Sequence, residues 1–180
     1  MKLMIVPIGD VDPDLMYRVG EGVVSVIPRT AFTISSEKVA LLPEHYDAYR
    51  RQYRSTALLD ELRSKAKFLS SDRVLGITSV DIYYPGMNFI FGEAELWGRC
   101  CLISTFRLNP ERYGLPDRED LFIRRCVKEA IHELGHTLGL RHCSDPSCVM
   151  SFSINLLAVD RKEAGFCERC FKHIDAATED

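Results

Sequence analysis

The sequence predicts an α/β (α+β) fold, a mixed sheet packed against helices, on three observations. Short runs rich in β-branched and aromatic residues alternate with longer stretches of helical period. The clearest helical pattern comes late, after the strands. Beyond it, residues 140–180 hold few apolar runs and two close cysteine pairs.

In chain order, residues 3–8 read as a buried first strand, ended by Gly9 and Asp10. Asp12-Pro13-Asp14 opens a helix toward Gly22. Residues 30–35 read as a second strand, and EHYDAYRRQYRS after Pro43 as a polar, aromatic connection. A helix is predicted over 56–69 with Leu58, Leu59, Leu62 and Phe68 as its apolar residues. Residues 73–82 read as a strand, Tyr84-Pro85-Gly86 as a turn, and 88–95 with 99–107 as an antiparallel pair around Trp97-Gly98. Asp117 reads as the N-cap of a helix over 118–139. Val127, Ile131, Leu134 and Leu138 form its buried stripe, and Gly139 ends it. A short helix is predicted at 155–164. Residues 1–139 and 140–180 are expected to form two parts of one compact domain.

The chain has 180 residues, 46% of them hydrophobic, enough for a real core. Its net charge is −3, from 23 Lys+Arg against 26 Asp+Glu, which gives no pull toward nucleic acid or acidic membranes. The apolar run in MKLMIVPIGD is too short for a signal-peptide core or a membrane span. A cytoplasmic monomer is therefore expected. Seven cysteines, an odd number in a reducing compartment, point to metal before disulfide.

The chemistry concentrates in HELGHTLGLRHC, residues 132–143. His132 and His136, four apart on a helix, share a face and can bind one ion. Glu133, one step around, cannot be a ligand on that face but can reach a water beside the ion. By itself such a short pattern can arise by chance. The continuation is more specific. Gly139 can leave the helix at positive φ and turn the chain back, which brings His142 toward the other two rings. Three imidazoles leave a fourth zinc position open. Zinc in such a place acidifies water and polarises a carbonyl, and Glu133 could take the water's proton and pass it to a leaving amine. The bland alternative makes His142 a polar loop residue.

His142 and Cys143 are neighbours, and adjacent side chains leave the backbone in divergent directions. Cys143-x4-Cys148 and Cys167-x2-Cys170 resemble a closed four-thiolate zinc site. The peptide would then serve two metals, with the second bracing the loop that presents His142. A redox dithiol or unconnected buried thiols are the alternatives. Cys100, Cys101 and Cys126 read as small buried hydrophobes. His45 and His173 carry no functional claim.

HELGHTLGLRHCSDPSCVM, with Cys167-Glu168-Arg169-Cys170, resembles the archaemetzincins, a branch of the metzincin zinc peptidases. The resemblance spans about residues 75–171, including NFIFGEAELWGRCCLISTFR. It implies a metzincin-like mixed twisted sheet with HExxHxxGxxH on an active-site helix and a zinc-stapled C-terminal part. It also implies two Zn2+ per chain. His132, His136 and His142 would bind the catalytic ion, with Glu133 as base. Cys143, Cys148, Cys167 and Cys170 would bind the structural one, and Met150 would form a turn beneath the metal. The segment Asn88–Glu95 is the candidate edge strand for an extended peptide substrate, or else ordinary sheet. The sequence departs from several metzincin branches at Phe152, where they place a tyrosine. The function implied is hydrolysis of peptide bonds. A catalytically weak or inactive zinc protein that binds peptides or protein partners is the alternative, and a nucleic-acid-binding zinc module is disfavoured by the acidic charge balance.

Overall fold

Strands in which successive residues are all apolar must be covered on both faces, and that requirement organises this chain. A computed structural model gives the structure of residues 1–114, 116 and 118–179. In chain order the elements are β1 (Lys2–Ile8), α1 (Pro13–Val24), β2 (Ala31–Ile34), β3 (Tyr46–Asp47), β4 (Gln52–Arg54) and α2 (Ser55–Ala66). There follow β5 (Arg73–Thr78), β6 (Ile82–Tyr83), β7 (Gly92–Ala94), β8 (Cys100–Ser104), α3 (Glu119–Thr137), α4 (Leu156–Arg161) and α5 (Glu168–Ala177). The main sheet has the order β2-β1-β5-β8-β7, and a small second sheet has the order β3-β4-β6. Neighbours in the main sheet run parallel except β7, which lies antiparallel to β8 at the edge.

Alternation along the strands builds two cores. Leu3, Ile5, Leu75, Ile77, Cys101 and Ile103 face α1 and α3. Val6, Ile8, Val74, Cys100 and Leu102 face α2. The adjacent Cys100 and Cys101 thus fall on opposite sides of the sheet, buried as expected. Burial pushes the Cys100 thiol up to about 11 and holds that of Cys101 well above its ordinary value, which leaves both unreactive. Cys126 is buried in α3 with its thiol likewise raised by burial.

The structure differs from the sequence reading at several boundaries. The polar, aromatic connection contains β3 and β4, a hairpin too short to show a period. Residues 73–82 divide into β5 and the start of β6, because the chain crosses from one sheet to the other. Helix α2 stops at Ala66, so Phe68 lies beyond it and is 89% exposed instead of packed. Only Gly92–Ala94 of the predicted strand 88–95 is regular. The residues beyond Cys167, read as loop, form α5, whose buried face is only Cys170 and Ile174. The proposed cap Asp117 lies outside the described residues. Among those described, no helix is long and apolar enough to cross a membrane.

The last forty residues are tied to α3 through a buried cation. Arg125 is 3% exposed and grips Asp160 of α4 with two bonds, Nε at 2.7 Å and Nη2 at 2.6 Å, while Nη1 donates to the Leu108 carbonyl at 3.1 Å. Removing one partner of such a pair leaves an uncompensated buried charge. Asp160→Ala should therefore destabilise the metal-loaded protein by about 3 kcal/mol, read as a lower urea midpoint. Arg125→Met, which removes the buried charge itself, should lose less.

Candidate active site

The end of α3 sets the position of its second histidine. Gly139, at φ +94°, is the left-handed residue that stops the helix. Its N–H bonds the His136 carbonyl at 2.9 Å, and the Leu140 N–H bonds the Gly135 carbonyl at 2.9 Å, the paired bonds of a Schellman turn. A side chain at 139 would also run into the indole of Trp97. The Trp97 N–H makes a second bond to the His136 carbonyl at 3.2 Å. The turned-back Leu140 then presents its own carbonyl to His136 Nδ1 at 2.7 Å.

His132, one turn earlier, is anchored in the same way from a different segment. Its Nδ1 lies 2.8 Å from the Val149 carbonyl. An Nδ1 facing a carbonyl must carry the ring's proton, so in a neutral ring Nε2 is a bare lone pair. The two Nε2 atoms stand 3.1 Å apart. With no proton between them they repel, and a shared cation relieves that repulsion. His142 completes the group, with its ring centroid 5.3 Å from that of His132 and 4.9 Å from that of His136. The ligand atoms of the three histidines all lie within 4.8 Å of one another. Zinc–nitrogen bonds of about 2.0–2.1 Å need tetrahedral corners about 3.3–3.4 Å apart, which this set can meet. Burial lowers all three imidazoles below the ordinary range, His132 furthest and with help from Lys162. Neutral rings are the form that ligates.

Glu133 lines the same cleft, which has a volume of about 830 Å³. Burial, reinforced by the Glu129 carboxylate, pushes its carboxyl well above the usual range. A nearby cation would favour its ionised form. The side chain lies against the edge strand at Gly92, where any Cβ would sit about 2.6–2.8 Å from Glu133 Cγ, Oε1 and Cδ. Glycine at 92 therefore makes room for the carboxylate. Behind it, Lys162 reaches in from the segment after α4. Its Nζ is 2.9 Å from Glu129 Oε1 and 3.5 Å from His132 Nδ1, with Lys162 only 1% and Glu129 4% exposed.

The four other cysteines form a second cluster, with all Sγ atoms within 4.8 Å. Cys143 Sγ and Cys167 Sγ are 3.8 Å apart, the edge of a tetrahedron with zinc–sulfur bonds of about 2.3 Å. Cys167 stands at the N-cap position of α5 and Cys170 lies in its first turn, where burial and the neighbouring thiols push the Cys170 thiol up. Burial opposes ionisation of Cys143, but the Asp145 N–H, the Arg169 guanidinium and the neighbouring thiols bring it down to about 7. The Cys167 N–H points at Cys148 Sγ at 3.3 Å. None of the cysteines is paired as a disulfide.

Met150 is fully buried and packs against α3 at Gly135. Its carbonyl accepts from the Cys143 N–H at 2.9 Å, and Val149 beside it holds His132. One short turn thus fixes a residue of each cluster. Phe152 stands 4.8 Å from the His142 ring and lines the cleft without a phenol. Sequence reasoning missed Gly92, Glu129, Lys162 and His173. His173 Nε2 meets the Leu138 carbonyl at 2.9 Å and so braces the end of α3 from α5. Of these the sequence reading named only His173, without a role, and Lys162 falls in the helix predicted at 155–164, from which its burial could not be read.

Comparison with known proteins places this geometry. The model of peptidase family M54 matches residues 26–176. The archaemetzincin of Methanocaldococcus jannaschii is 41% identical over 180 residues, covering 97% of this chain and 93% of the relative. The crystal structure of archaemetzincin from Methanopyrus kandleri superposes with a TM-score of 0.87 at 40% identity, covering 100% of this chain and 96% of the other. That of archaemetzincin from Archaeoglobus fulgidus, complexed with malonate, gives 0.79 at 37% identity and covers 96% and 99%.

Two consequences can be measured. Gly139→Ala forces a Cβ into the left-handed region, at about 1–2 kcal/mol, and against Trp97. A lowered melting temperature and a shifted emission from this single tryptophan are expected. Lys162→Met leaves Glu129 buried without a counter-ion, and a loss of about 3–5 kcal/mol is expected in denaturant titration. Adding Glu129→Gln should restore much of it.

Proposed function

Because the chain belongs to peptidase family M54, the archaemetzincins, and is thus a zinc-dependent peptidase, we propose that His132, His136 and His142 hold its catalytic zinc. On the same reading Glu133 is the general base, and Cys143, Cys148, Cys167 and Cys170 hold a second, structural zinc. The observation that carries the first assignment is the pair of unprotonated Nε2 atoms facing each other at 3.1 Å. Sulfurs at tetrahedral spacing, met by N–H donors from Asp145, Cys167 and Arg169, support the second.

The ion at the histidines supplies Lewis acidity toward a water and a peptide carbonyl. The protein's own groups do the rest. Glu133, held between Gly92 and the floor of the cleft, accepts the proton from the attacking water and delivers it to the leaving amine. Val149 and Leu140 keep the histidine rings in one tautomer. Met150 supports the floor beneath them. Phe152 offers no hydroxyl, so no phenol donates to the developing oxyanion from that position.

A peptide lies extended along β7. That strand pairs with β8 on one side only, so its outer edge is free to take a substrate strand by main-chain hydrogen bonding. The regular edge is Gly92–Ala94, shorter than the Asn88–Glu95 segment the sequence suggested. A reducing, cytoplasmic setting keeps the four thiols available as ligands.

Glu133→Gln should retain two zinc ions per chain and lose about 10²–10⁴-fold in hydrolysis of a peptide library. His136→Ala should lose one zinc and Cys167→Ser the other, counted by elemental analysis. Full activity in Glu133→Gln would end the assignment of the base.

A further inference from the structure

Behind residues 87–89 of the cleft wall lies a second cavity, of about 600 Å³, that peptide hydrolysis does not use. Arg50, Arg51, Arg107 and Arg112 face it against one carboxylate, Asp81. That carboxylate is already taken: Arg107 Nε and Nη2 reach it at 2.8 and 2.7 Å, and Gln52 Nε2 at 3.1 Å. Four cations against one anion is a local excess of positive charge in a chain whose net charge is −3. Gathering like charges is unfavourable unless an anion offsets the repulsion.

Three of the guanidinium groups lie over aromatic rings. Arg112 lies 3.3 Å over Phe106, Arg107 4.3 Å over Phe89 and Arg50 4.3 Å over Tyr83. Stacking of this kind fixes the plane of the group while its N–H edge can still meet an oxyanion. Arg51 is one of three non-glycine residues at positive φ, +58°. Among the described residues, Arg51 and Arg112 make no side-chain hydrogen bond or ion pair. The cavity also adjoins the cleft through Arg50. Arg50 Nη2 donates to the carbonyls of Met87 at 2.6 Å and Asn88 at 3.2 Å, and Met87, Asn88 and Phe89 line the cleft on their other side.

We infer that this cavity is an oxyanion-binding site that takes acidic side chains of a peptide whose apolar stretch occupies the cleft. The inference rests on the reading that peptides lie along β7. Carboxylates suit the site because the forks of Arg51 and Arg112, which hold no other polar partner among the described residues, can each meet one with two parallel bonds, and Arg50, bonded to the backbone of the cleft residues Met87 and Asn88, sets the site beside the cleft. The occupant then selects substrates by charge at a distance from the reacting bond.

The test uses the metal-loaded Glu133→Gln protein, which holds peptides without cleaving them. Apolar hexapeptides extended by three glutamates at one end or the other are titrated calorimetrically beside their glutamine counterparts, with inorganic phosphate as a third ligand. One acidic peptide should bind at least about tenfold tighter than its glutamine counterpart, with the advantage shrinking at high salt. The Arg51→Gln/Arg112→Gln pair should erase that advantage, with zinc content and melting temperature checked to show that the fold survives. Equal binding of acidic and glutamine peptides overturns the inference, and so does phosphate binding without any difference between the peptides. If no peptide of either kind binds, the reading of the cleft falls with it.

Discussion

The site depends on one constraint: both imidazoles of α3 give their Nδ1 hydrogens to backbone carbonyls. A histidine on a helix otherwise has rotamers and two tautomers to choose from. Here Leu140 and Val149 remove that choice, so both Nε2 atoms point into one space. The Leu140 carbonyl is available only because the helix stops at Gly139 in a left-handed turn. The same turn sends the chain back and delivers His142. Helix termination, tautomer selection and convergence of the third ring are therefore one event in the backbone.

The second anchor comes from the C-terminal part. Val149 lies between Cys148 and Met150, and the N–H of Val149 is held by the Gly165 carbonyl at 2.9 Å. Glu163 N–H is held by Ser147 at 2.8 Å. These bonds fasten the segment carrying Lys162 to the turn carrying Val149. With few apolar residues of its own, this region draws order from the sulfur cluster and from the Arg125–Asp160 pair. Distortion of the cluster would reach His132 through two contacts, its carbonyl partner and the Lys162 ammonium. On the proposed assignment, a structural metal here would act on the orientation of a catalytic ligand without touching the reaction.

The chemistry was more legible in the sequence than the architecture around it. Two histidines four positions apart, and a third six further on with a glycine midway, encode their meeting through helix period and a permitted φ, both local properties. The cysteine spacings are local in the same sense. The sheet order is not, because nothing in residues 92–94 says that β7 lies at an edge, or that Gly92 is small to admit Glu133. Phe68 misled for a related reason. It was counted among the apolar residues of α2, but it lies off the face of Leu58, Leu59 and Leu62 and the helix ends two residues earlier, so nothing packs on it. Helix α5 was missed although Cys170, Ile174 and Ala177 recur at helical spacing, because Cys167 and Cys170 were read only for their spacing as ligands.

Glu133 shows how such long-range placements produce chemistry. A carboxyl this buried, one turn from another carboxylate, resists ionisation. The protein opposes that with a buried ammonium, Lys162, whose charge Glu129 shares. The base is thus raised by burial and by one neighbour and held in check by another, in a cleft where a further cation would tip it to the carboxylate. A base strong enough to take a proton from water, yet ionised at neutral pH, needs both opposing influences. The apolar surroundings and Glu129 strengthen it, and the cations make its charge tolerable. With Glu133 as the proposed base, removing either side moves its proton affinity away from what amide hydrolysis requires, and this gives the fully buried lysine behind α3 a part in that chemistry.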